Sequence, residues 1–349
     1  MKKAIALVWP HWKFATVSDK PVYPHRGLLL DSARNYLTLD VIKKNIDGMA
    51  ASKMNVLHWH ITDTQSFPLE VPSLPNMTKY GAYGENKVYK PEDVEDLVQY
   101  AKIRGVRLLI EIDGPSHAGS GWQWGPEAGL GNLAVCINQQ PWRSFCIQPP
   151  CGQLNPANPN MYKVLNTLYK DISKMVPDSE LFHMGGDEVN LWGQYHTKAL
   201  AAYDLAVGHN RTSAVVWTSH LTDPDLIQQY FDKNRIAGIW TTDSGGSTTF
   251  YTWRNVYENQ MYQSSHPLIL GGEVCMWGEL VDDNNIEPRI WPRAAAAAER
   301  LWTNPTTKSS EAETRFFVHR ERLLNRGIRA EAEIPGWCVQ NDGGCSSYL

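Results

Sequence analysis

The sequence predicts an α/β fold in which parallel strands and helices alternate into a TIM-type (β/α) barrel. Three observations support this. Seven apolar runs of strand length recur along the chain, at Leu28 to Leu30, Val56 to Ile61, Val106 to Ile112, Leu181 to Met184, Ala214 to Trp217, Ile236 to Trp240 and Leu268 to Met276. Continuous rather than alternating apolarity marks strands buried on both faces, as in a sheet covered by crossover helices. Helical periodicity fills most of the gaps between runs, the pattern of parallel strands joined by crossovers. Each run also ends in polar or aromatic residues, and the carboxyl ends of the strands are where such a barrel collects its active site.

Taken in order, the first run leads to Asp31 and Arg34, and Thr38 is placed to cap a helix over Leu39 to Lys53. There Val41, Ile42, Asn45, Ile46 and Met49 share one face at helical spacing. The second run carries His58 and His60 and ends before Asp63; Pro91, Glu92 and Asp93 then open a helix that Gly105 stops. The third run ends in Glu111, Asp113 and His117, and Met161 to Met175 is helical. The fourth ends in Asp187 and Glu188, the fifth and sixth at Trp217 and Trp240, and the last leads through Glu273 to Trp277 and Glu279. Helices follow over Pro292 to Trp302, where Ala294 to Ala298 suits close packing on the sheet, and over Glu311 to Asn325, which Gly327 stops.

The 349 residues divide into a leader or remnant of an N-terminal domain at 1–23, a barrel at 24–337 and a tail at 338–349. A net charge of -4, from 33 basic and 37 acidic residues, gives no cationic footprint and argues against nucleic acid or anionic membrane as partners. The 14 Trp offer flat apolar faces suited to sugar rings. No apolar run reaches the roughly 18 residues of a membrane span. Met1-Lys2-Lys3 before Ala4 to Trp9 resembles a clipped signal peptide, interrupted by Pro10, His11 and Lys13. Two groups of cysteines suit short-range disulfides: Cys338 with Cys345 in the tail, and Cys136, Cys146 and Cys151 around a Pro-rich loop. With the sequons at Asn76 and Asn210, candidates for glycosylation, they point to a secreted or lysosomal protein.

The chemistry centres on His183-Met184-Gly185-Gly186-Asp187-Glu188. Adjacent carboxylates on a regular strand face opposite ways. Gly185-Gly186 can relax that alternation and bring both acids to the barrel mouth. An ordinary retaining glycosidase needs its two carboxyls roughly 5 Å apart across the scissile bond, which neighbours in sequence rarely provide. Adjacency suits a substrate-assisted reaction instead, in which the sugar's own 2-acetamido oxygen is the nucleophile. Ionised Asp187 would then orient the amide, and Glu188 would protonate the leaving oxygen, its pKa raised by Asp187 and an aromatic pocket. His58, His60 and Asp63 could alternatively begin a metal site, but no His ends the Trp240 or Glu273 runs, so neither metal nor cofactor is expected.

From Pro24-His25-Arg26-Gly27 to Trp302 the chain resembles the catalytic domain of family 20 glycoside hydrolases, the β-N-acetylhexosaminidases. The motifs His58-Trp59-His60-Ile61-Thr62-Asp63 and His183 to Glu188 carry the resemblance, and the loop from Cys136 to Pro156 is most similar to the arthropod chitooligosaccharide-degrading branch. The resemblance implies an eight-stranded barrel that removes terminal non-reducing β-linked N-acetylglucosamine or N-acetylgalactosamine from oligosaccharides. It assigns catalysis to Asp187 and Glu188 and hydroxyl binding to Arg34 and Glu279. Asp63 and His117 become polar residues around the pocket, and Trp217, Trp240 and Trp277 its aromatic walls. It is compatible with a homodimer. Three departures mark a shortened or spliced form. The family's seventh strand ends in Tyr-Leu-Asp, its Tyr on the acetamido oxygen and its Asp on sugar hydroxyls, but no such pattern lies in Thr241 to Pro267, so strand 7 is lacking or replaced. Phe250-Tyr251-Thr252-Trp253 resembles a later loop of the family, Val189 to Ser213 is short, and Thr64 stands where a second acid is common. The competing readings are an inactive chitin-sugar binding protein and a metal-dependent barrel hydrolase.

Overall fold

The computed structural model describes residues 16–177, 181–188, 192–208, 213–215, 217, 238–243, 251–259 and 269–341. All seven apolar runs form strands of one sheet: β1 His25–Asp31, β2 Val56–Thr62, β3 Arg107–Ile112, β6 Leu181–His183, β7 Ser213–Val215, β8 Gly238–Asp243 and β9 Ile269–Met276. Every pairing is parallel, in the order β7-β6-β3-β2-β1-β9-β8. The first and last strands therefore meet, as they do in a barrel. β1 and β2 are buried at every position, which is why they read as unbroken apolar runs.

Among the described residues no strand stands between the Trp240 strand and β9. β8, which carries Trp240, pairs directly with β9, setting Trp240 opposite Gly272 and Thr241 opposite Glu273. The segment at Tyr251-Thr252-Trp253 is not a strand. Thr252 accepts the Asn255 amide at 3.2 Å and caps helix α6, Trp253–Glu258, while the Trp253 ring is buried and stacks on Phe316 at 4.3 Å. Among the described residues the sheet has seven strands, with β7 and β8 at its ends.

Helices cover the sheet where the periodicity placed them. α1 spans Leu39–Ala51 and stops two residues short of the expected end, because Lys53 turns to φ 62°. Thr38 sits at its N-cap, but its hydroxyl donates to Asp283 at 2.7 Å instead of bonding the helix. α2 is Asn76–Gly81 and α3 is Pro91–Lys102, where the Lys90 amide donates to Asp93 at 2.8 Å. α4, Pro159–Met175, is capped by Asn158, which accepts the Asn160 amide at 2.9 Å, and α5 spans Trp192–Val207. After β9 come α7 Ile286–Ile290, α8 Arg293–Thr303, α9 Ser309–Leu324 and α10 Gly336–Gln340. Ala294 to Ala298 are all buried in α8, which packs on β1 and β9; methyl-sized side chains allow that close approach.

Between β3 and α4 a long excursion folds over the mouth. It contains the antiparallel pair β4 Ala134–Val135 and β5 Gln153–Leu154 and a disulfide between Cys146 and Cys151. Cys136 carries a free thiol, so of the three candidates in this loop only two are bridged, as an odd number requires. Cys338 is disulfide-bonded, and Cys345 lies outside the described residues. Asn76 opens α2 half-buried; Asn210 and residues 1–15 lie outside the described residues. Among the described residues no helix is long and apolar enough to cross a membrane.

Candidate active site

The two acids leave strand geometry through the glycines before them. β6 stops at His183, and Gly185 and Gly186 then adopt φ of 69° and 104°, left-handed values that glycine takes without a Cβ penalty. Gly185 has no room for any other residue: a Cβ there would sit 1.8 Å from Asp113 Oδ1. Glu188 itself has φ 57°, and its carboxylate faces His117, with Oε2 3.4 Å from Nε2. Burial raises the Asp187 pKa above the usual carboxylate range, His117 opposing and Glu188 and Glu111 adding to the shift.

Behind Glu188 the charges are fixed by a second pair. His117 Nδ1 lies 3.2 Å from Asp63 Oδ1 and 3.3 Å from Arg34 Nη2, and Nε2 faces Glu188 without a hydrogen-bond partner among the described residues, so the ring stands between the two carboxyl groups. Burial opposes a charge on the ring, but Asp63 holds the His117 pKa well above its usual value, and His117 and Arg34 hold Asp63 low against the same opposition. Arg34 Nη1 reaches Asp31 Oδ2 at 3.1 Å and Asp63 Oδ2 at 3.0 Å. Asp31 also accepts the Gly278 amide at 2.9 Å, which brings the loop carrying Trp277 and Glu279 beside Arg34. Gln148, from the disulfide-closed loop, joins Arg34 Nη2 and Glu279 Oε1, each at 3.1 Å. Arg34 Nε and Glu279 Oε2 remain buried without a hydrogen-bond partner among the described residues, an arrangement that a polar ligand would relieve.

The floor of the site is a cluster of charges. His58 bonds Glu273 Oε2 at 2.8 Å and Glu111 Oε2 at 3.0 Å; His60 bonds Glu111 Oε2 at 2.6 Å and Asp63 Oδ2 at 2.9 Å. Burial opposes their charge, yet Glu273 and Glu111 push His58 up to about 9, and Glu111 and Asp63 raise His60 well above its usual value. Both nitrogens of each imidazole face carboxylates, and His58, Glu111 and His183 also offer ligand atoms within 4.8 Å of one another, so chelation is the test that separates the metal-hydrolase reading. Asp113 accepts the Gly114 and Gly186 amides at 2.7 and 3.0 Å, and burial beside Glu111 pushes its carboxyl up to about 7.

Aromatic rings line one side. Trp217 packs on Trp277 with ring centroids 5.4 Å apart, Trp277 meets His60 edge-on at 5.2 Å, and the Arg34 guanidinium lies 5.3 Å from the Trp277 ring. Asp187, Glu188, Asp63, His117, Arg34, Trp217, Trp277 and Glu279 thus occupy one end of the sheet. Trp240 lies on β8 beyond β9, and its side chain falls outside the described residues. Glu111 and Asp113 stood among the strand-end residues without a role; their signal was a charge inside a run otherwise buried. Gln148, on an exposed-looking loop, gave none.

The description "Glycosyl hydrolase family 20, catalytic domain" matches the chain in two pieces, residues 23–248 and 224–305. A chitooligosaccharidolytic beta-N-acetylglucosaminidase of Bombyx mori is 38% identical over 95% of the chain and 66% of its own length. A probable beta-hexosaminidase of Drosophila melanogaster is 39% identical over 94% of the chain and 59% of its own. The chain therefore spans slightly less than two thirds of these relatives. The Bombyx mori alignment runs over 398 residues, more than the 349 of the whole chain, so that relative holds residues inside the matched span that this chain lacks. Among solved structures, a Flavobacterium johnsoniae chitobiase superposes with a TM-score of 0.70 at 25% identity, over 88% of this chain and 52% of that one. On its sequence, its parallel sheet and these matches together, the chain belongs to glycosyl hydrolase family 20.

Proposed function

We propose that the protein hydrolyses terminal non-reducing β-linked N-acetylhexosamine from chitooligosaccharides or glycans, with retention, by a substrate-assisted mechanism. The observation that carries the proposal is the approach of His117 to Glu188 with Asp63 behind it. Glu188 protonates the leaving oxygen while the sugar's acetamido oxygen attacks the anomeric carbon; Asp187 accepts the amide N-H and stabilises the oxazolinium charge. As the proton leaves, the Glu188 carboxylate forms opposite a fixed imidazolium, which favours the charge at that moment. Glu188 then takes a proton from water, which opens the oxazolinium from the face the aglycone left, and the configuration is retained. The unpartnered Arg34 Nε and Glu279 Oε2 supply a donor and an acceptor for sugar hydroxyls, and the Trp217 and Trp277 rings a wall.

On this reading residues 24–337 are the catalytic unit and 338–349 a stapled tail. The sequons and the Cys146–Cys151 disulfide support a secreted or lysosomal location. A homodimer is compatible with this reading, and light scattering tests it. The deciding assay is hydrolysis of an aryl N-acetylglucosaminide against a Glu188→Gln control, in buffer with and without chelator. Turnover above the control that survives chelation is expected. Turnover no higher than the control, with sugar binding retained, would leave a binding protein.

A further inference from the structure

One buried carboxylate joins the two halves of the site. Glu111, next to the last residue of β3 and without solvent exposure, is met by four side-chain nitrogens. His58 Nε2 and His60 Nδ1 approach its Oε2 at 3.0 and 2.6 Å; His183 Nδ1, which also accepts the Gly185 amide at 3.2 Å, lies 3.0 Å from Oε1, and the Trp217 indole N-H donates to the same oxygen. Those nitrogens come from β2, from β6 and from Trp217, the second residue past β7, so a single side chain joins the sheet from its second strand to its far edge. The Oε2 branch continues through His60 to Asp63, from Asp63 to His117, and so to Glu188. The Oε1 branch ends on the Trp217 ring, which packs on Trp277.

Resting on the hydrolase reading above, we propose that Glu111 is a positioning residue that couples the acid/base to the aromatic wall, fixing both from one carboxylate. A packing role alone has no use for a charge here, since an ion with no exposure is costly unless all its lone pairs are used. Here both oxygens are used twice, and the two branches lead to groups with different tasks. Glu111 touches neither substrate nor the reacting atoms. It acts through His60 and Asp63 on proton transfer, and through the Trp217 N-H on the ring that faces the sugar.

Glu111→Gln tests this while preserving shape. The amide keeps one acceptor oxygen, now uncharged, and turns an NH2 group toward the N-H donors on the other side, so one branch loses its acceptor and the other its charge. Two readouts separate them. Affinity for a thiazoline analogue of the bound sugar, measured by calorimetry, reports the wall and needs no proton transfer. The ratio of kcat/KM for a dinitrophenyl against a phenyl N-acetylglucosaminide reports the acid, because a good leaving group needs little protonation. The proposal expects thiazoline affinity to fall about tenfold or more, as for loss of a hydrogen bond to a charged group, and the leaving-group ratio to rise together with it. Trp217→Phe, which removes the N-H and keeps a ring, should weaken the thiazoline without moving the ratio; His60→Gln should move the ratio more than the affinity. In the double variant Glu111→Gln with Trp217→Phe, the affinity losses should not add. If Glu111→Gln does not fold, the Trp217 and His60 variants still cut one branch each. Additive losses, or equal shifts of both readouts in both single-branch variants, overturn the proposal. Absence of hydrolysis by the unaltered chain overturns the hydrolase reading instead, and thiazoline binding remains measurable in that case.

Discussion

Replacing Gly185 by Ala perturbs the turn that presents both acids, and its size follows from two distances. The new Cβ would lie 1.8 Å from Asp113 Oδ1 and 2.6 Å from the Asp113 Cα and the Gly114 amide nitrogen. The last two are backbone atoms, so no side-chain rotation relieves the clash. Left-handed φ adds about 1–2 kcal/mol for a residue with a Cβ, and forced overpacking about 1–3 kcal/mol. Together they amount to roughly 2–5 kcal/mol. If the turn holds, stability is lost, at roughly 2–4 °C of Tm per kcal/mol for a domain of a few hundred residues. If the turn moves, it takes Asp187 and Glu188 with it and breaks the Gly186 amide bond to Asp113, now 3.0 Å. A displacement of about 1 Å at reacting groups costs on the order of a hundredfold in rate. Gly105→Ala is the control, since φ there is 74° with nothing within 4 Å of a Cβ; it should lose about 1 kcal/mol and no activity. Thermal melts and hydrolysis of a chromogenic N-acetylglucosaminide read both variants. Gly185→Ala with unaltered Tm and rate, or Gly105→Ala with an equal loss of activity, would refute the steric reasoning.

Three other expectations follow from the site and its surroundings. Asp113, pushed up to about 7 from 3.8, keeps a proton in the folded state that the unfolded chain releases, so its contribution to stability is full below about pH 4 and is lost as pH rises toward 7. Asp113→Asn, which can still accept the Gly114 and Gly186 amides, should flatten the fall of Tm between those pH values; an unchanged slope would exclude Asp113 as its source. Asp63→Asn removes the charge that holds the His117 imidazolium, and kcat for a phenyl glycoside should drop about 10²- to 10⁴-fold with a smaller drop for a dinitrophenyl glycoside. Finally, reduction of the Cys146–Cys151 disulfide, five residues apart, should cost about 2 kcal/mol on the chain-entropy estimate for a short loop, visible as a larger fall of Tm in reductant for the unaltered chain than for a Cys146→Ser variant, which keeps only the Cys338 bridge.

The sheet was legible because its strands are buried on both sides and therefore read as apolar runs. Their ends were less so: β8 continues past Trp240 to Asp243, and the run at Ala214 yields only Ser213–Val215. Thr38 and Thr252 look alike as caps, yet Asp283, distant in sequence, takes the Thr38 hydroxyl, and only Thr252 caps its helix. The acid pair and its orientation by two glycines were readable because the cause is local. The Glu111 and Glu273 cluster was not, since it joins groups up to 248 positions apart and no spacing records that. That strand 7 is lacking or replaced was readable from the missing Tyr-Leu-Asp pattern, but not which strand pairs with β9: that is decided by which neighbour is present, and Trp240 comes to lie opposite Gly272.

That β1 pairs with β9 has a consequence for how the chain is made. His25 in β1 bonds Glu273 at 2.6 Å, and His58 in β2 bonds the other oxygen of the same carboxylate. Neither imidazole has this partner until β9 leaves the ribosome, roughly 12 to 50 s after His25 at ordinary rates of synthesis. During that interval β1 has an open edge and the charges beneath the future site are unbalanced, so the growing sheet depends on water or a chaperone to cover it. A nascent chain stopped before Ile269 should remain protease-sensitive, and protection should arrive in one step when β9 docks, late and all at once rather than strand by strand.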